Sequence, residues 1–317
     1  MTTDYRFGHV ALMGPPNAGK STLLNHLLGQ KLAIVSPKPQ TTRNAISGIL
    51  TSAAAQVVFL DTPGVHRMAG RMNRMLLEAA WGALHQANAV VLILDAELYS
   101  KKPHLFDREI KPLADPVQRV ERPLFIAVNK TDRVRPKEKL LPFLMRVGQS
   151  FPGAEIFPLS AATGDGVDIL LGELIKILPV GEARYPEDQL STASMRFLAA
   201  ETIREKLFLE LEQELPYNTI VEIEQWEEPE PIDGKIDGKI DGKEGPVRIN
   251  AAIHVARSGH KGMVIGKGGQ LLKKIGTAAR IELEVMLERP VHLELWVRVR
   301  EDWTEDTAFL REMGLGE

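Results

Sequence analysis

The 317-residue chain contains no cysteine, which excludes disulfide bonds, thiolate metal sites and a cysteine nucleophile. No run reaches the roughly 18 to 20 uncharged apolar residues that a membrane-spanning helix needs. The N-terminus, MTTDYRFGHV, lacks the basic start and apolar stretch of a secretory signal. These absences are compatible with a cytoplasmic protein. Because 44% of the residues are hydrophobic and the chain is longer than one core comfortably fills, we expect two globular domains.

Acidic residues are missing from one stretch of a chain that is otherwise acidic, with a net charge of −3. The stretch from Gly245 to Ile281 contains no Asp or Glu. It contains the basic residues Arg248, Arg257, Lys261, Lys267, Lys273, Lys274 and Arg280. The overall charge argues against a nucleic-acid partner, but a local excess of positive charge attracts polyanions. This stretch is therefore a candidate nucleic-acid surface.

Short apolar runs alternate with amphipathic segments in the first half of the chain. The runs occupy residues 9–14, 57–61, 90–95, 124–130 and 155–160, and the amphipathic segments occupy 20–29, 71–86, 136–149 and 166–178. Near-continuous apolar runs are typical of strands that are buried on both faces of a mostly parallel sheet. The pattern predicts a doubly wound α/β domain over residues 1–180. The Pro-, Gly- and charge-rich segment that follows predicts a linker at 181–190.

The remaining residues, 191–317, predict a smaller α+β domain. The predicted elements are a helix from Ser194 to about Leu215, strands at 218–226, 247–255 and 291–299, and helices at about 261–274 and 276–288. Alternation of apolar and polar residues in the last two strands indicates antiparallel strands with one buried face. The predicted order is helix, strand, strand, helix, helix, strand.

A repeat, IDGKIDGKIDGK at residues 232–243, separates the first two of these strands. Asp-Gly pairs favour hairpin turns, so we expect a long, mobile hairpin tip at 229–245. A calcium loop is disfavoured, because the acidic residues recur every four positions and an EF-hand needs them at every second position.

The segment GPPNAGKST at residues 14–22 has the G-x-x-x-x-G-K-[ST] spacing of a phosphate-binding loop, between a predicted strand and a predicted helix. The backbone N–H groups of such a loop surround phosphates, and the helix N-terminus adds partial positive charge. We expect Lys20 to reach the β- and γ-phosphates and the Ser21 hydroxyl to bind Mg²⁺. The predicted nucleotide-binding residues of the loop are Gly14, Pro15, Pro16, Asn17, Ala18, Gly19, Lys20, Ser21 and Thr22.

Further motifs at strand ends predict guanine as the base. In DTPG, Asp61 can hold Mg²⁺ through water and the Gly64 N–H can meet the γ-phosphate. In NKTD, Asp132 can accept hydrogen bonds from N1–H and the 2-amino group of guanine, which adenine cannot offer. In SAATG, a backbone N–H can bind guanine O6. The predicted nucleotide-binding residues of these motifs are Asp61, Gly64, Asn129, Lys130, Asp132, Ser160 and Ala161.

The segment VIGKGG at residues 264–269 is a second Gly- and Lys-rich loop, but it does not fit a phosphate-binding loop because Gly follows Lys267 where Ser or Thr is required. Its G-x-x-G spacing is that of the KH module, which holds the backbone of single-stranded nucleic acid. The motif alone is equally typical of a helix–helix turn. Its position between two helices of the acid-free stretch favours RNA, with Ile265 in an apolar floor for bases. The predicted RNA-binding residues are Lys261, Ile265, Gly266, Lys267, Gly268, Gly269, Lys273 and Lys274.

Together, G-x-x-N-x-G-K-S, TTR, DTPG, NKTD and SA resemble the Era and TrmE group of bacterial GTPases. ELPY, MVIGKGG and RPVHLELWVRV resemble the type II KH domain at the C-terminus of the Era family. The resemblance covers nearly the whole chain and fails at the IDGK repeat. It implies a GTPase switch that binds the 3′ end of small-subunit rRNA and assists assembly of the 30S subunit. Membrane association is reported for the family, which suggests peripheral association with the inner face of the cell membrane, although no amphipathic anchor is evident in this sequence. We also expect a monomer.

The resemblance extends to the residues that bind metal ions. In KPQTTRN, Thr42 corresponds to the switch I threonine that closes on Mg²⁺, and Thr41 is the alternative if the register is shifted by one. The Mg²⁺ ligands would then be Ser21, Thr42 and Asp61. In related GTPases, the Asn of the phosphate-binding loop, here Asn17, helps to hold a K⁺ ion that acts in place of an arginine finger. The implied catalytic residues are Lys20, Thr42 and Asn17.

The position that carries a water-orienting Gln in many regulatory GTPases is Val65 here, which cannot do this. His66 follows, and a solvent-facing switch residue is its simpler interpretation. We therefore expect slow hydrolysis that is stimulated by K⁺ or by RNA.

Other classes of protein fit the sequence less well. A tRNA-modifying GTPase of the same group needs a C-terminal catalytic Cys, and a tandem GTPase needs a second phosphate-binding loop. An RNA-binding scaffold with a weakly active or inactive GTPase domain is the main alternative. The presence of Lys20, Ser21, Asp61 and Asp132 together argues against it.

Overall fold

A computed structural model describes residues 4–36, 38, 42–43, 46–64, 70–228, 239–240 and 243–315, with only the backbone described at 239–240 and 243–244. The chain divides into two units, Met1–Thr192 with Gly314–Glu317, and Ala193–Met313. The predicted boundary between a GTPase domain at 1–180, a linker and a second domain stays a prediction, although the first unit extends through the predicted linker.

The first unit contains a six-stranded sheet in the order β2-β3-β1-β4-β5-β6. The strands are β1 Arg6–Met13, β2 Ile46–Thr51, β3 Ala55–Asp61, β4 Ala89–Asp95, β5 Leu124–Asn129 and β6 Glu155–Pro158. Neighbouring strands pair in parallel except for β2 and β3, which pair antiparallel. The prediction of a mostly parallel sheet is confirmed. The sequence pattern did not indicate β2, because this edge strand contains Ser47 and Gly48 within its apolar residues.

Seven helices of the described residues surround this sheet: α1 Lys20–Leu28, α2 Arg71–Gln86, α3 Ala96–Lys101, α4 Pro103–Glu109, α5 Lys111–Gln118, α6 Leu140–Ser150 and α7 Val167–Ile177. The stretch of α3, α4 and α5 was not predicted, because its prolines divide it into pieces too short to show helical periodicity. Aromatic side chains join α3 and α4 to α6, with Tyr99, Phe106 and Phe143 packed against each other in the core.

The segment predicted as a linker is bonded to this sheet at β1, at β3 and at the edge strand β2. The N–H of Phe7 donates to the Pro179 carbonyl at 3.0 Å, and the N–H of Ile49 donates to the Leu190 carbonyl at 2.8 Å. Between these points, the buried Gln56 amide oxygen accepts from the N–H groups of Arg184 at 2.7 Å and Tyr185 at 3.0 Å. The first unit therefore holds this segment by main-chain pairing and by a buried amide.

The second unit contains a three-stranded sheet in the order β11-β10-β7. Its elements are α8 Met195–Glu210, β7 Thr219–Glu227, β10 Val247–Val255, α9 Ser258–Ile265, α10 Gln270–Leu287, β11 Val291–Val299 and α11 Thr307–Glu312. The predicted order of helices and strands is confirmed up to β11, and α11 was not predicted. Ser194 begins α8 as its N-cap, because its hydroxyl accepts from the N–H of Phe197 at 3.2 Å.

Two details of the prediction for this unit were wrong. The strands β10 and β11 pair in parallel, although their alternation suggested antiparallel pairing, and only β7 and β10 are antiparallel. The alternation arises because helices cover one face of the sheet, and a crossover through two helices returns the chain in the parallel direction. The helices are interrupted at Gly266–Gly269 and not near residue 275, since Gly276 lies inside α10.

The predicted hairpin tip at 229–245 lies mostly outside the described residues. Within it, β8 Lys239–Ile240 and β9 Lys243–Glu244 pair antiparallel, with Lys239 opposite Glu244. No helix of the described residues is both long enough and apolar enough to cross a membrane.

Candidate functional site

The phosphate-binding loop connects β1 to α1 and is held closely by the end of β5. At Gly19 the backbone has φ of 101°, and a Cβ atom there would lie 2.2 Å from Nδ2 of Asn129. Only glycine fits this position, because a side chain would meet both a left-handed conformation and a fixed neighbour. Lys20 is buried and its ammonium donates to the carbonyls of Gly14 and Pro15, at 3.2 Å each. The lysine charge thus lies inside the loop.

Three oxygen-bearing side chains meet beside this loop. The Ser21 hydroxyl donates to Oδ2 of Asp61 at 2.7 Å and is 2.9 Å from the Thr42 hydroxyl. The Thr42 hydroxyl also lies 3.5 Å from the same Asp61 oxygen. The structure therefore brings together the three residues predicted to bind Mg²⁺. Thr41, the alternative to Thr42, lies outside the described residues.

The Asp61 carboxylate is the least satisfied group of this cluster. It is fully buried, and its Oδ1 has no hydrogen-bond partner among the described residues. Burial raises the pKa of Asp61 to about 6, although Lys20 and the two hydroxyl groups oppose this shift. Burial also lowers the pKa of Lys20. A buried carboxylate with an unpaired oxygen, next to two hydroxyl oxygens, fits Mg²⁺, a cation that prefers oxygen ligands.

Asn129 joins three loops that follow three parallel strands. Its Nδ2 donates to the Ala18 carbonyl of the phosphate-binding loop at 2.8 Å. Its Oδ1 accepts from the N–H of Lys130 at 2.8 Å and from the N–H of Ala161 at 2.9 Å. Both ends of the amide are therefore used within the protein, and Asn129 positions the loops around it.

The other residues of the two base-reading motifs lie near Asn129. Lys130 donates to the carbonyl of Asn17 at 2.6 Å. Asp132 lies in a short 3-10 turn, Thr131–Arg133, with 28% of its side chain exposed. Ser160 is buried, and its hydroxyl accepts from the N–H of Thr163 at 3.3 Å. The carboxylate of Asp132 is partly exposed, with Oδ2 3.9 Å from Nε of Arg133, whereas Ser160 shapes its own loop.

A cavity of about 750 Å³ lies over the phosphate-binding loop. Predicted residues that line it are Pro16, Asn17, Gly19, Lys20, Ser21, Thr22, Thr42, Gly64 and Lys130. Predicted residues that do not line it are Gly14, Pro15, Ala18, Asp61, Asn129, Asp132, Ser160 and Ala161. Sequence reasoning missed the wall formed by Asp95, Glu97, Leu98, Lys101, Lys102 and Arg133. Asp95 could have been found, since it ends an apolar strand run as Asp61 does.

The second unit has a smaller cavity, of about 360 Å³, beside the G-x-x-G loop. It is lined by Gly269, Leu272, Lys273, Gly276, Thr277, Arg280, Leu293 and Leu295. Gly268 and Gly269 have φ of 58° and 75°, and a Cβ atom at either would meet nothing within 4 Å among the described residues. This open glycine turn leaves room for a ligand backbone to approach the main chain.

The predicted RNA-binding residues differ in how they relate to this groove. Lys273 lines it, and Lys261 and Lys267 are exposed nearby on α9 and the turn after it. The ammonium of Lys274 lies 2.6 Å from the Glu210 carboxylate, which offsets its charge. Ile265 packs against the core, so the apolar floor is formed instead by leucines of α10 and β11. The residues of α10 that line the groove recur every three or four positions between Gly269 and Arg280. This helical spacing in the sequence could have indicated that they share one face.

Comparison with known proteins identifies the family. Residues 9–130 match the family model of a 50S ribosome-binding GTPase, and residues 235–304 match that of a KH domain. GTPase Era of Nitratidesulfovibrio vulgaris is 54% identical over 313 residues, which cover 99% of this chain and 98% of that protein. The chain belongs to the Era family of GTPases. GTPase Era of Geobacter metallireducens is 44% identical over 98% of both chains.

Solved Era structures share the whole fold. A crystal structure of Era in complex with MgGDPNP and nucleotides 1506–1542 of 16S ribosomal RNA matches 99% of this chain and 100% of its own, with 36% identity and a TM-score of 0.85. A variant of Aquifex aeolicus Era bound to GDP.AlF4- matches 98% of this chain and 100% of its own, with 36% identity and a TM-score of 0.84. The predicted Era resemblance, GTPase activity and GTPase–KH fold are confirmed.

Replacement of Asn129 tests whether it holds the site together. Asn129→Ala leaves the Ala18 carbonyl and the Ala161 N–H without their partner, at a cost of about 1–3 kcal/mol each. We expect the dissociation constant for GDP to rise tenfold or more and the melting temperature to fall by several degrees. Fluorescent-GDP titration and calorimetry measure both. The control is Asn88→Ala, which removes one bond to the His9 N–H. Equal GDP affinity in the two variants contradicts the prediction.

Proposed function

We propose that the protein is a GTP-dependent switch that binds single-stranded RNA at the 3′ end of 16S rRNA and assists assembly of the 30S subunit. The observation that carries the proposal is its full-length similarity to Era in complex with MgGDPNP and nucleotides 1506–1542 of 16S ribosomal RNA. An RNA-binding scaffold with an inactive GTPase domain is disfavoured, because Lys20, Ser21 and Asp61 meet around the phosphate-binding loop. Cytoplasmic location, peripheral membrane association and a monomeric state stay predictions.

The residues that would hold Mg²⁺ are Ser21, Thr42 and Asp61. When bound, Mg²⁺ neutralises negative charge that develops on the phosphoryl group during transfer. Lys20 adds a fixed positive charge inside the loop, where burial strengthens its electrostatic effect. The N–H groups of the loop and the N-terminus of α1 orient the phosphates. Catalysis in this site therefore depends on positioning and charge and needs no covalent intermediate.

Guanine specificity is assigned to Asp132 in this proposal. Asp132→Asn replaces one acceptor oxygen with an N–H donor, which opposes the 2-amino group of guanine and suits the 2-oxo group of xanthine. Two hydrogen bonds to a carboxylate contribute about 1.5–3 kcal/mol each, so we expect GTP affinity to fall by about two orders of magnitude. XTP affinity should rise. Titration with GTP, XTP and ATP measures this, with the exposed Asp165→Asn as control. Unchanged base preference in Asp132→Asn would refute the assignment.

Hydrolysis is assigned to a K⁺-assisted mechanism through Asn17. Asn17 lines the cavity over the phosphate-binding loop with φ of 61°, beside Lys20 and Ser21. Position 65 carries Val, so no Gln orients the attacking water there, and a K⁺ ion beside Asn17 would supply the positive charge that an arginine finger supplies in other GTPases.

We expect GTP hydrolysis in KCl to exceed that in NaCl of equal ionic strength by about tenfold or more, a difference of about 1.4 kcal/mol in the barrier. Asn17→Ala should remove the difference. Single-turnover phosphate release, with and without RNA, measures both rates. Equal rates in the two salts, with RNA present or not, would eliminate a role for K⁺.

RNA binding is assigned to the groove beside the G-x-x-G loop. Small residues at the turn allow close approach of a phosphodiester, and Lys273 supplies positive charge at the groove. The Arg280 guanidinium also lines the groove, but it lies 2.6 Å from the Glu284 carboxylate, which offsets its charge. Leu272, Leu293 and Leu295 provide apolar surface for unstacked bases. Such a groove reads single-stranded RNA, because paired bases cannot reach its floor.

In this proposal, switch I, the segment around Thr42, controls the RNA-binding domain through β2, the edge strand of the GTPase sheet. The strand β2 begins four residues after Thr42, and it pairs with the segment that leads to α8. The hydroxyls of Ser47 and Thr192 hydrogen-bond to each other, and the Ser191 hydroxyl donates to the Ser47 carbonyl at 2.6 Å. A rearrangement of switch I around bound GTP would therefore act directly on the segment that precedes α8.

Gly268→Asp tests the groove and the switch together. A carboxylate at the turn repels phosphate, so we expect the dissociation constant for a single-stranded copy of nucleotides 1506–1542 to rise tenfold or more. The matched control is Gly153→Asp, since Gly153 also has a positive φ and no neighbour of its Cβ position within 4 Å. Fluorescence anisotropy with GDPNP and with GDP measures both. If Gly268→Asp binds RNA with wild-type affinity, the G-x-x-G loop does not bind RNA. If the wild type binds RNA equally well with GDPNP and with GDP, the nucleotide does not control RNA binding.

A further inference from the structure

Asp95 ends the apolar strand β4 and lies opposite Asn129 in the parallel register of β4 and β5. One oxygen of its carboxylate, Oδ2, accepts from the Lys130 ammonium at 2.6 Å. The other, Oδ1, accepts from the N–H of Leu98 at 2.9 Å and so begins α3. A single carboxylate thus contacts the base-reading loop and the helix that forms one wall of the nucleotide cavity.

Lys130 and Asn17 are both held in a left-handed backbone conformation, with φ of 64° and 61°. Side chains disfavour this conformation, and it persists at functional sites only where surrounding contacts impose it. The Lys130 ammonium donates to the Asn17 carbonyl at 2.6 Å, so one hydrogen bond joins the two strained positions. Asp95 is the acidic partner that keeps this ammonium in place.

The Asp95–Lys130 ion pair is better shielded than two other lysine–carboxylate pairs of the first unit, Glu97–Lys101 and Glu173–Lys176. Its side chains are 22% and 13% exposed, whereas those of Lys176 and Glu173, also 2.6 Å apart, are 68% and 36% exposed. A shielded, charge-assisted hydrogen bond is stronger than an exposed one, which solvent screens. The Asp95–Lys130 pair can therefore hold a loop, and the Glu173–Lys176 pair serves as its control.

We propose that Asp95 is a positioning residue that holds the NKTD loop against the phosphate-binding loop through Lys130 and thereby slows the release of guanine nucleotide. The inference rests on the proposed guanine-nucleotide site. Asp95 acts through Lys130 and Asn17, at the base end of the phosphate-binding loop. Loss of the pair frees both strained positions to relax and opens the cavity between α3 and the base-reading loop.

A double-mutant cycle tests the pair. Asp95→Asn keeps an oxygen that can cap α3 but removes the charge, and Lys130→Met keeps the aliphatic chain but removes the ammonium. We expect each to accelerate dissociation of fluorescent GDP about tenfold in a stopped-flow chase with excess GDP, as expected for loss of one charge-assisted hydrogen bond. The double variant should be no faster than Lys130→Met, because Asp95 acts only through the ammonium that Lys130→Met already removes. Glu173→Gln should release GDP at the wild-type rate.

Several outcomes would overturn the inference. A wild-type dissociation rate in Asp95→Asn, with acceleration only in Asp95→Ala, would mean that the carboxylate serves as a helix cap alone. Additive effects in the double variant would mean that Asp95 and Lys130 act separately. Both results leave the guanine site intact, since the wild type still prefers GDP to ADP. Failure of the wild type to prefer GDP would instead remove the proposed nucleotide site and this inference with it.

Discussion

The nucleotide site depends on the side-chain amide of Asn129. Its three hydrogen bonds connect the loops that follow β1, β5 and β6, and these strands are parallel, so their carboxyl ends meet at one edge of the sheet. A loop contributes few apolar contacts of its own, and its conformation is set by where its polar groups find partners. One amide satisfies a carbonyl and two N–H groups at once, and it thereby fixes the spacing between a phosphate-binding loop and two base-reading loops.

Local motifs in the sequence predicted the chemistry of this site well, because each motif is a short segment at the end of a strand. Lys20, Ser21 and Asp61 followed from the phosphate-binding motif and from the rule that parallel strand ends converge, whereas Thr42 was assigned from the family resemblance. The roles of Asn129 and Asp95 could not be derived in that way, since both depend on pairs of atoms more than thirty residues apart in the chain. Likewise, the groove beside the G-x-x-G loop combines α10 with β11, and sequence reasoning identified the turn but not the leucines that form the floor.

The direction of the strands in the second unit shows a similar limit. Alternation of apolar and polar residues along β10 and β11 indicates that one face of the sheet is buried. It does not indicate whether the neighbouring strand is parallel or antiparallel. The connection decides the direction, because α9 and α10 span the sheet and return the chain at the same end from which β10 started. That connection also explains the groove. A parallel β11 at the edge runs beside α10, and Gly276 allows close packing there, with Leu295 Cδ1 3.3 Å from where its Cβ would lie.

The two Gly- and Lys-rich loops differ in what surrounds their glycines. At Gly19 the protein itself occupies the space that a side chain would take, because the Asn129 amide lies there. The protein itself therefore packs against the phosphate-binding loop at this glycine, and the lysine of the loop is buried. At Gly268 the corresponding space is open among the described residues, and Lys267 is exposed. A loop with a fixed, packed conformation suits a small ligand whose charged groups each have a defined partner. An open turn beside a groove suits a polymer that extends along the groove. In the proposed function, the same residue types would therefore bind a triphosphate in one unit and an RNA backbone in the other.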